Sequence, residues 1–308
     1  MSNAYEAAII GGGPAGLTAG IYLMRAGIET ILLEKQIVGG AALNTEHIDN
    51  YPGFPDGISG SELTGRMAEQ ARKLGLVIKE FSRAEGVGYT DGFFETGVDK
   101  ESYRSVGVIA AMGTEALKLG IPGEETLVGR GVSYCATCDG MFFRNLDVAV
   151  VGGGDSALSE ALTLANIAAK VYVIHRRDQL RAQQILQARV SRHDKIELML
   201  GKVPLRINGG NEVESIALRD TKTDGESELK VSGVFFYVGL RPETGFLGNL
   251  ADRDDAGFIV TDENLRTKTP GLFAAGDVRR KSLRQISTAV GDGALAAVNL
   301  EKFVLEKR

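Results

Sequence analysis

Only two cysteines occur in 308 residues, which excludes a scaffold stapled by disulfides. Histidine is equally scarce: His47, His175 and His193 are scattered along the chain. One cysteine pair and three dispersed imidazoles do not supply the roughly four ligands of a structural zinc centre, so no metal is expected. No uninterrupted apolar run approaches about 18 residues, which argues against a membrane-spanning helix. A dominant charge is missing too. The 35 basic and 40 acidic residues, net −5, are interspersed without a basic tail, so neither nucleic acid nor a membrane surface is an expected partner. Met1–Glu6 leads straight to a strand with no basic region, apolar run or cleavage site, and a cytoplasmic location is expected.

Glycine is what the chain has in excess: 40 residues of 308, against a usual share of roughly 7%. The excess gathers in Gly-Gly-Gly and Gly-Asp runs, where backbone must approach a ligand closely. The first run follows the apolar segment Ala7–Ile10 and opens a helix candidate, Leu17–Ala26. A second apolar segment, Thr30–Leu33, ends at Glu34. Strand, glycine turn, helix, strand and an acid about 20 residues on is the dinucleotide-binding pattern. In it Gly11 makes the turn, Gly13 admits a pyrophosphate to the helix N-terminus beside Pro14 and Ala15, and Gly16 lets helix and strand pack. Glu34 would accept from a ribose hydroxyl.

A second copy matches the first without a gap. Gly152, Gly154 and Ala157 each stand 141 residues after Gly11, Gly13 and Gly16, and His175 stands 141 after Glu34. The helix of this copy is expected to run through Ala168, and its second strand over Val171–Ile174. Where the first copy ends in an acid, the second has His175-Arg176-Arg177, with Arg181 placed one helical turn on. Guanidinium groups pair bidentately with a 2′-phosphate, whereas an acid repels it. The first copy therefore suits an adenosine with a free 2′-hydroxyl, and the second suits NADP(H) through Gly154, Asp155, Ser156, Ala157, His175, Arg176, Arg177 and Arg181. The plain alternative for the arginines is an exposed basic helix start.

Both cysteines lie in Cys135-Ala136-Thr137-Cys138-Asp139, just upstream of this second copy. Two thiols two residues apart between two cofactor folds suggest electrons passing from a nucleotide to sulfur. The remaining segments are less specific. Residues 39–54 read as loop, Ser61–Gly75 as an amphipathic helix, Leu76–Glu95 as β-structure with an Asp91-Gly92 hairpin, and Val106–Met112 as a buried strand. Ile196–Val238 reads as short strands closing the second domain. A late strand, Gly271–Ala275, runs into Gly276-Asp277, and a final helix spans about Arg284–Phe303. Asp277 could hydrogen-bond a polyol, or simply cap the helix.

These residues carry a resemblance to the low-molecular-weight thioredoxin reductases of the pyridine nucleotide–disulfide oxidoreductase class, over almost the whole chain. Its marks are Gly11–Gly16, Asn50-Tyr51-Pro52-Gly53, Gly129–Gly140, Gly152–Ala157, His175–Ala182, Phe273–Val278 and Arg284-Gln285. The resemblance implies an α/β fold of two Rossmann-like dinucleotide-binding domains, of three-layer ββα type, the second inserted into the first. The expected division is 1–114 and 245–308 for FAD and 115–244 for NADPH, with hinges near Gly113–Leu117 and Gly239–Gly245. FAD contacts are expected at Gly11, Gly13, Pro14, Ala15, Gly16, Glu34, Lys35, Gly40, Ala41, Asn50, Gly276, Asp277, Arg284, Gln285 and Ile286. The resemblance also implies a homodimer with thioredoxin as substrate. Cys138 would lie nearer the flavin, Cys135 would attack the thioredoxin disulfide, and Asp139 would move the proton. A flavin is needed because a nicotinamide gives up hydride and a disulfide is opened by exchange.

Departures from the family pattern fall at Ala41, Met112, Ser159 and Arg279-Arg280-Lys281-Ser282-Leu283. The first two could retune the flavin, and the basic cluster could alter a docking surface. Competing readings keep the fold but change the partner, to a glutaredoxin-like or peroxidase-linked protein, or use a donor other than NADPH. More distant ones are an NADPH oxidase or ferredoxin-type electron carrier with incidental cysteines, and a non-catalytic nucleotide sensor.

Overall fold

A computed structural model describes residues 4–45, 48, 50–134 and 136–308. The chain divides into two compact units, 1–115 with 241–308 and, inserted between them, 116–240. Both are α/β units built on a parallel sheet.

The first unit opens with β1 (Ala4–Ile10), α1 (Pro14–Arg25) and β2 (Thr30–Leu33). After a short 3-10 turn at Gly40–Asn44 come α2 (Gly60–Lys73), β3 (Val77–Lys79), β4 (Ala84–Thr90), β5 (Phe93–Val98) and β6 (Glu101–Ala110). β2 and β6 pair in parallel with β1 on either side, and β3 extends the sheet beyond β2. β4 and β5 form an antiparallel hairpin on the N-terminal half of β6, turning at Asp91-Gly92. Alternate residues of β1 enter two different cores. Ala7 and Ile9 face the side that holds α1 and α2, while Ala8 and Ile10 pack on the other side with Phe94 and Val98 of the hairpin. Burial on both faces explains why the segment reads as one continuous apolar run instead of an alternating one.

A short strand, β7 (Glu115–Ala116), leads into the second unit. It contains β8 (Val132–Ser133), α3 (Ala136–Asp139), β9 (Asp147–Val151), α4 (Asp155–Ala165), β10 (Lys170–His175), α5 (Gln184–Ser191) and β11 (Ile196–Leu200). Then follow β12 (Lys202–Asn208), β13 (Ser215–Asp220), β14 (Glu226–Lys230) and β15 (Gly233–Phe236). The parallel sheet runs β11-β10-β9-β15-β8, and β12-β13-β14 form a separate antiparallel sheet. The strand run expected over Ile196–Val238 is therefore split: its ends join the parallel sheet and its middle covers one face. Val148 and Val150 of β9 pack on the α4 side, and Ala149 and Val151 on the β13 side. Strand β9 thus divides its side chains between two cores as β1 does, and each unit has the ββα layering the resemblance implied.

The chain leaves through β16 (Leu240–Arg241), which pairs with β7, and returns to the first unit. There β17 (Leu272–Ala274) adds in parallel to β6, and α6 (Ile286–Leu305) packs against α1. Helix α6 begins later than expected because Gln285 caps it: its side chain and that of Thr288 each engage the other's backbone N–H. Helix α4 is shorter than expected and ends before Ala168. Among the described residues, no helix is long and apolar enough to cross a membrane.

Candidate active site

In the first unit the glycine turn joins β1 to α1 at the C-terminal edge of the parallel sheet, where ligands of such folds bind. A Cβ on Gly16 would collide with the Gly11 carbonyl oxygen and meet Ile9 at 3.2 Å, so only glycine lets α1 cross this close to the strand. Gly13 and Gly40 face each other, a Cβ on Gly40 falling 3.0 Å from the Gly13 Cα. Glu34, at the end of β2, is buried, and its Oε2 accepts the Gly12 N–H at 2.6 Å. Its Oε1 accepts the Gln36 N–H at 2.9 Å. The acid is thus locked onto the loop it is meant to complement. Lys35 points elsewhere: its ammonium pairs with Glu115 and, at 3.1 Å, with Glu243, the residues that flank the inserted unit. Ala41 is exposed in the 3-10 turn that starts at Gly40.

The return segment meets this loop. Gly276 has φ +79°, and a Cβ there would lie 2.9 Å from the Ala15 Cβ at the start of α1. Asp277 follows, half-buried, and its Oδ1 has no hydrogen-bond partner among the described residues. Burial raises its carboxyl above the ordinary range, partly countered by Lys281 and Arg284. Arg284 stacks on Phe258 at 4.0 Å and donates to the carbonyls of Asp277 and Arg279. Asn50 donates to the Gln285 side chain at 3.0 Å, and Ile286 begins α6. A glycine cradle, a fixed acid and an orphaned buried carboxylate oxygen fit a dinucleotide carrying a polyol. Arg279 and Lys281 do not form an outward basic patch. Both turn onto Asp292 of α6, and only Arg280 of the three is exposed.

The second unit repeats the first with a different ending. His175, opposite Glu34 in register, lies under the second glycine turn: a Cβ on Gly153 would fall 2.5 Å from its Nδ1. It is buried, and its Nε2 has no partner among the described residues. Burial lowers its pKa, and the charges of Arg181, Arg177 and Arg176 lower it further, so both act against a charged ring. Those three arginines are exposed. Arg181 does not lie one helical turn on. Residues 176–183 are irregular, and α5 starts only at Gln184. The Arg181 N–H instead donates to the Gly153 carbonyl at 2.7 Å, which brings the third cation to the glycine turn. Asp155, at the first position of α4, accepts the Gln183 N–H at 2.7 Å and its amide at 2.9 Å. Gly154 caps α4 without a side chain, Ser156 is exposed on its first turn, and Ala157 is buried where the first copy has Gly16.

Cys135 and the side chain of Cys138 lie outside the described residues. The four residues Ala136–Asp139 form a short helical turn. The Ala136 N–H donates to the Tyr237 hydroxyl at 2.8 Å. Burial raises the Tyr237 phenol well above its ordinary pKa, and Glu160 and Asp139 add to the effect. On the other flank, Tyr134 donates to Glu124 at 2.8 Å, and that fully buried acid also accepts the N–H groups of Leu119, Gly120 and Ile121. Beyond the motif, Met141 and Phe142 are exposed, Phe142 by 79%. Sequence reading missed Tyr237, Phe142 and Asp292. Only Asp292 had a signal, as the single charged residue of α6 before Glu301.

The family model described as pyridine nucleotide-disulphide oxidoreductase matches residues 5–293. The chain is 47% identical over 305 residues to the thioredoxin reductase of Listeria monocytogenes, covering 98% of this chain and 94% of that one. It is 45% identical over 305 residues to the thioredoxin reductase of Bacillus subtilis, covering 98% and 95%. Among solved structures it is similar to Lactococcus lactis thioredoxin reductase, with a TM-score of 0.95, 44% identity, and coverage of 98% of this chain and 99% of that one.

Proposed function

The chain belongs to the pyridine nucleotide-disulphide oxidoreductase family, and on that premise we propose that it carries electrons from NADPH, through FAD and the Cys135/Cys138 pair, to the disulfide of a thioredoxin. It is a flavoprotein disulfide reductase, and the family implies a flavin and a pyridine nucleotide. The observation that carries the finer reading is the different ending of two matched nucleotide sites. Glu34 closes one against a 2′-phosphate, and Arg176, Arg177 and Arg181 open the other to it. We therefore place FAD in unit 1–115/241–308 and NADPH in unit 116–240.

When bound, the flavin supplies the conversion between hydride from the nicotinamide and the electron pair that opens a disulfide. The chain's own groups do the rest. Gly11–Gly16 and α1 would hold a pyrophosphate, Glu34 would hold the adenosine ribose, and Asp277 would offer the polyol its Oδ1, which has no hydrogen-bond partner among the described residues. In the second unit the arginines hold the 2′-phosphate. Cys138, the sulfur nearer the flavin, and Cys135, the sulfur that attacks thioredoxin, cycle between disulfide and two thiols, and Asp139 supplies and removes the proton. Tyr237 fixes the backbone between the cysteines by accepting the Ala136 N–H. The exposed Met141 and Phe142, next to the redox motif, suit an apolar patch on a protein substrate. In this reading the protein is a cytoplasmic homodimer. A different partner or donor is not favoured, because the near relatives share one activity name.

Anaerobic mixing tests the reading. NADPH should bleach the flavin, and oxidised thioredoxin should restore its colour over many turnovers. Changing Cys135 and Cys138 to serine should leave the bleaching intact and abolish thioredoxin reduction. Continued reduction of thioredoxin by that variant would sink the proposal.

A further inference from the structure

Asp292 sits on α6, six residues past its start, between Gly291 and Gly293. Its Oδ2 accepts three donors: the Gly276 N–H at 3.1 Å, Arg279 Nε at 3.2 Å and Lys281 Nζ at 3.0 Å. The cluster is well covered, the Lys281 side chain being only 9% exposed and that of Asp292 15%. Such enclosure is costly for charged groups unless they are paired and hydrogen-bonded, as these are. One carboxylate thereby fastens the backbone of the Gly276-Asp277 turn, and the segment after it, to α6.

Lys281 has a second neighbour. Its Nζ lies 3.7 Å from Asp277 Oδ1, too far for a hydrogen bond but close enough for a strong charge interaction. That oxygen is the one without a hydrogen-bond partner among the described residues. Among the described residues, the charged groups that act on Asp277 include Lys281 and Arg284 from the segment following β17 and Asp292 from α6. Arg279 is directed to Asp292 and Thr261, and the Arg284 guanidinium is spent on Phe258 and two backbone carbonyls. Lys281 is the cation whose charged end sits between the two carboxylates.

We propose that Asp292 and Lys281 are positioning residues of the flavin site, Asp292 fixing the Gly276-Asp277 turn and Lys281 keeping Asp277 a carboxylate aimed at the flavin's polyol. The inference rests on unit 1–115/241–308 being the flavin site. An ionised carboxylate accepts a hydroxyl hydrogen bond more strongly than its acid form does. Burial drives Asp277 toward the acid, and Lys281 opposes that drive. As pH falls, Asp277 takes up a proton and the flavin loosens. Without Lys281 the same protonation occurs at higher pH.

The test reads flavin release, by the fluorescence of flavin freed from the purified holoprotein as pH is lowered, with no NADPH present. Lys281→Met should move the release midpoint up by about one unit, the effect of removing an opposite charge at this range. Lys281→Arg should restore it. In an Asp277→Asn background the titrating group is gone, and adding Lys281→Met should shift nothing further. Asp292→Asn should weaken flavin retention at every pH, and because that variant removes a buried anchor, the Lys281 series carries the decision if it fails to fold. A Lys281→Met midpoint equal to the wild type's, or an equal shift in the Asp277→Asn background, overturns the inference while leaving the flavin assignment standing. Wild-type protein that takes up no flavin overturns both.

Discussion

Arg176 and Arg177, the two residues that follow the register position of Glu34, are expected to decide which nucleotide the second unit takes. Each charge-assisted hydrogen bond to a phosphate is worth about 1.5–3 kcal/mol. Replacing both with alanine should therefore raise KM for NADPH by roughly a hundredfold or more. KM for NADH should hardly move, since NADH has no group for them to grip. Steady-state kinetics with the two donors checks this, and equal loss for both would remove the 2′-phosphate assignment. Glu34 and His175 mark how far register could be read. Both stand at the end of the second strand of their copy, and both pack against the middle glycine of their loop. The offset was legible because glycine positions are set by backbone clashes, which are written in the sequence. What His175 does there was not. The ring is inside, beneath Gly153, where it shapes the turn while the arginines beside it stay exposed. Asp292 was similarly hidden, because its three donors come from residues 276–281, on the far side of a loop whose path no local pattern reveals.

Helices start where a side chain satisfies the first N–H groups, and α6 depends on Gln285 and Thr288 to do so. Thr288→Ala removes one half of that reciprocal pair and should cost about 1 kcal/mol. The loss is expected as a lower denaturant midpoint for flavin-free protein, and a midpoint unchanged from wild type would show that the cap contributes nothing. The same helix start carries Gln285 to Asn50, so the variant should also loosen flavin binding. Elements with a period or a stop signal are legible: β2 and β10 fall within one residue of their expected limits and α2 within two, while β1 begins three residues before the apolar run. What stayed hidden shares a cause. A spacing of four from Arg177 predicts Arg181 one helical turn on. The actual path instead uses the Arg181 N–H to pair with Gly153 and delays α5 to Gln184. Likewise the run after Ile196 contains strands of two sheets. Pairing partners, parallel for β11 and β15 and antiparallel for β12 to β14, depend on contacts distant in sequence.

At the scale of the whole molecule, one unit is interrupted by another, and the chain crosses between them twice. The crossings are neighbours: β7 pairs with β16, the Leu117 N–H reaches the Gly239 carbonyl at 2.9 Å, and Lys35 holds Glu115 and Glu243 together. A chain of residues 1–115 joined by a short glycine linker to 241–308 should therefore fold, because its cores draw only on those residues. It should bind FAD, melt cooperatively by circular dichroism, and fail to be bleached by NADPH. A molten, flavin-free product would show that the inserted unit is needed to complete the first. The paired crossings also bear on ancestry. Two copies of one nucleotide-binding unit, in matching register, look like duplicates of a single gene segment. A doorway whose two posts stand together is where one duplicate could be spliced into the other without disturbing the host's hydrophobic layers. The same joint should then accept a foreign nucleotide-binding unit whose own ends lie equally close.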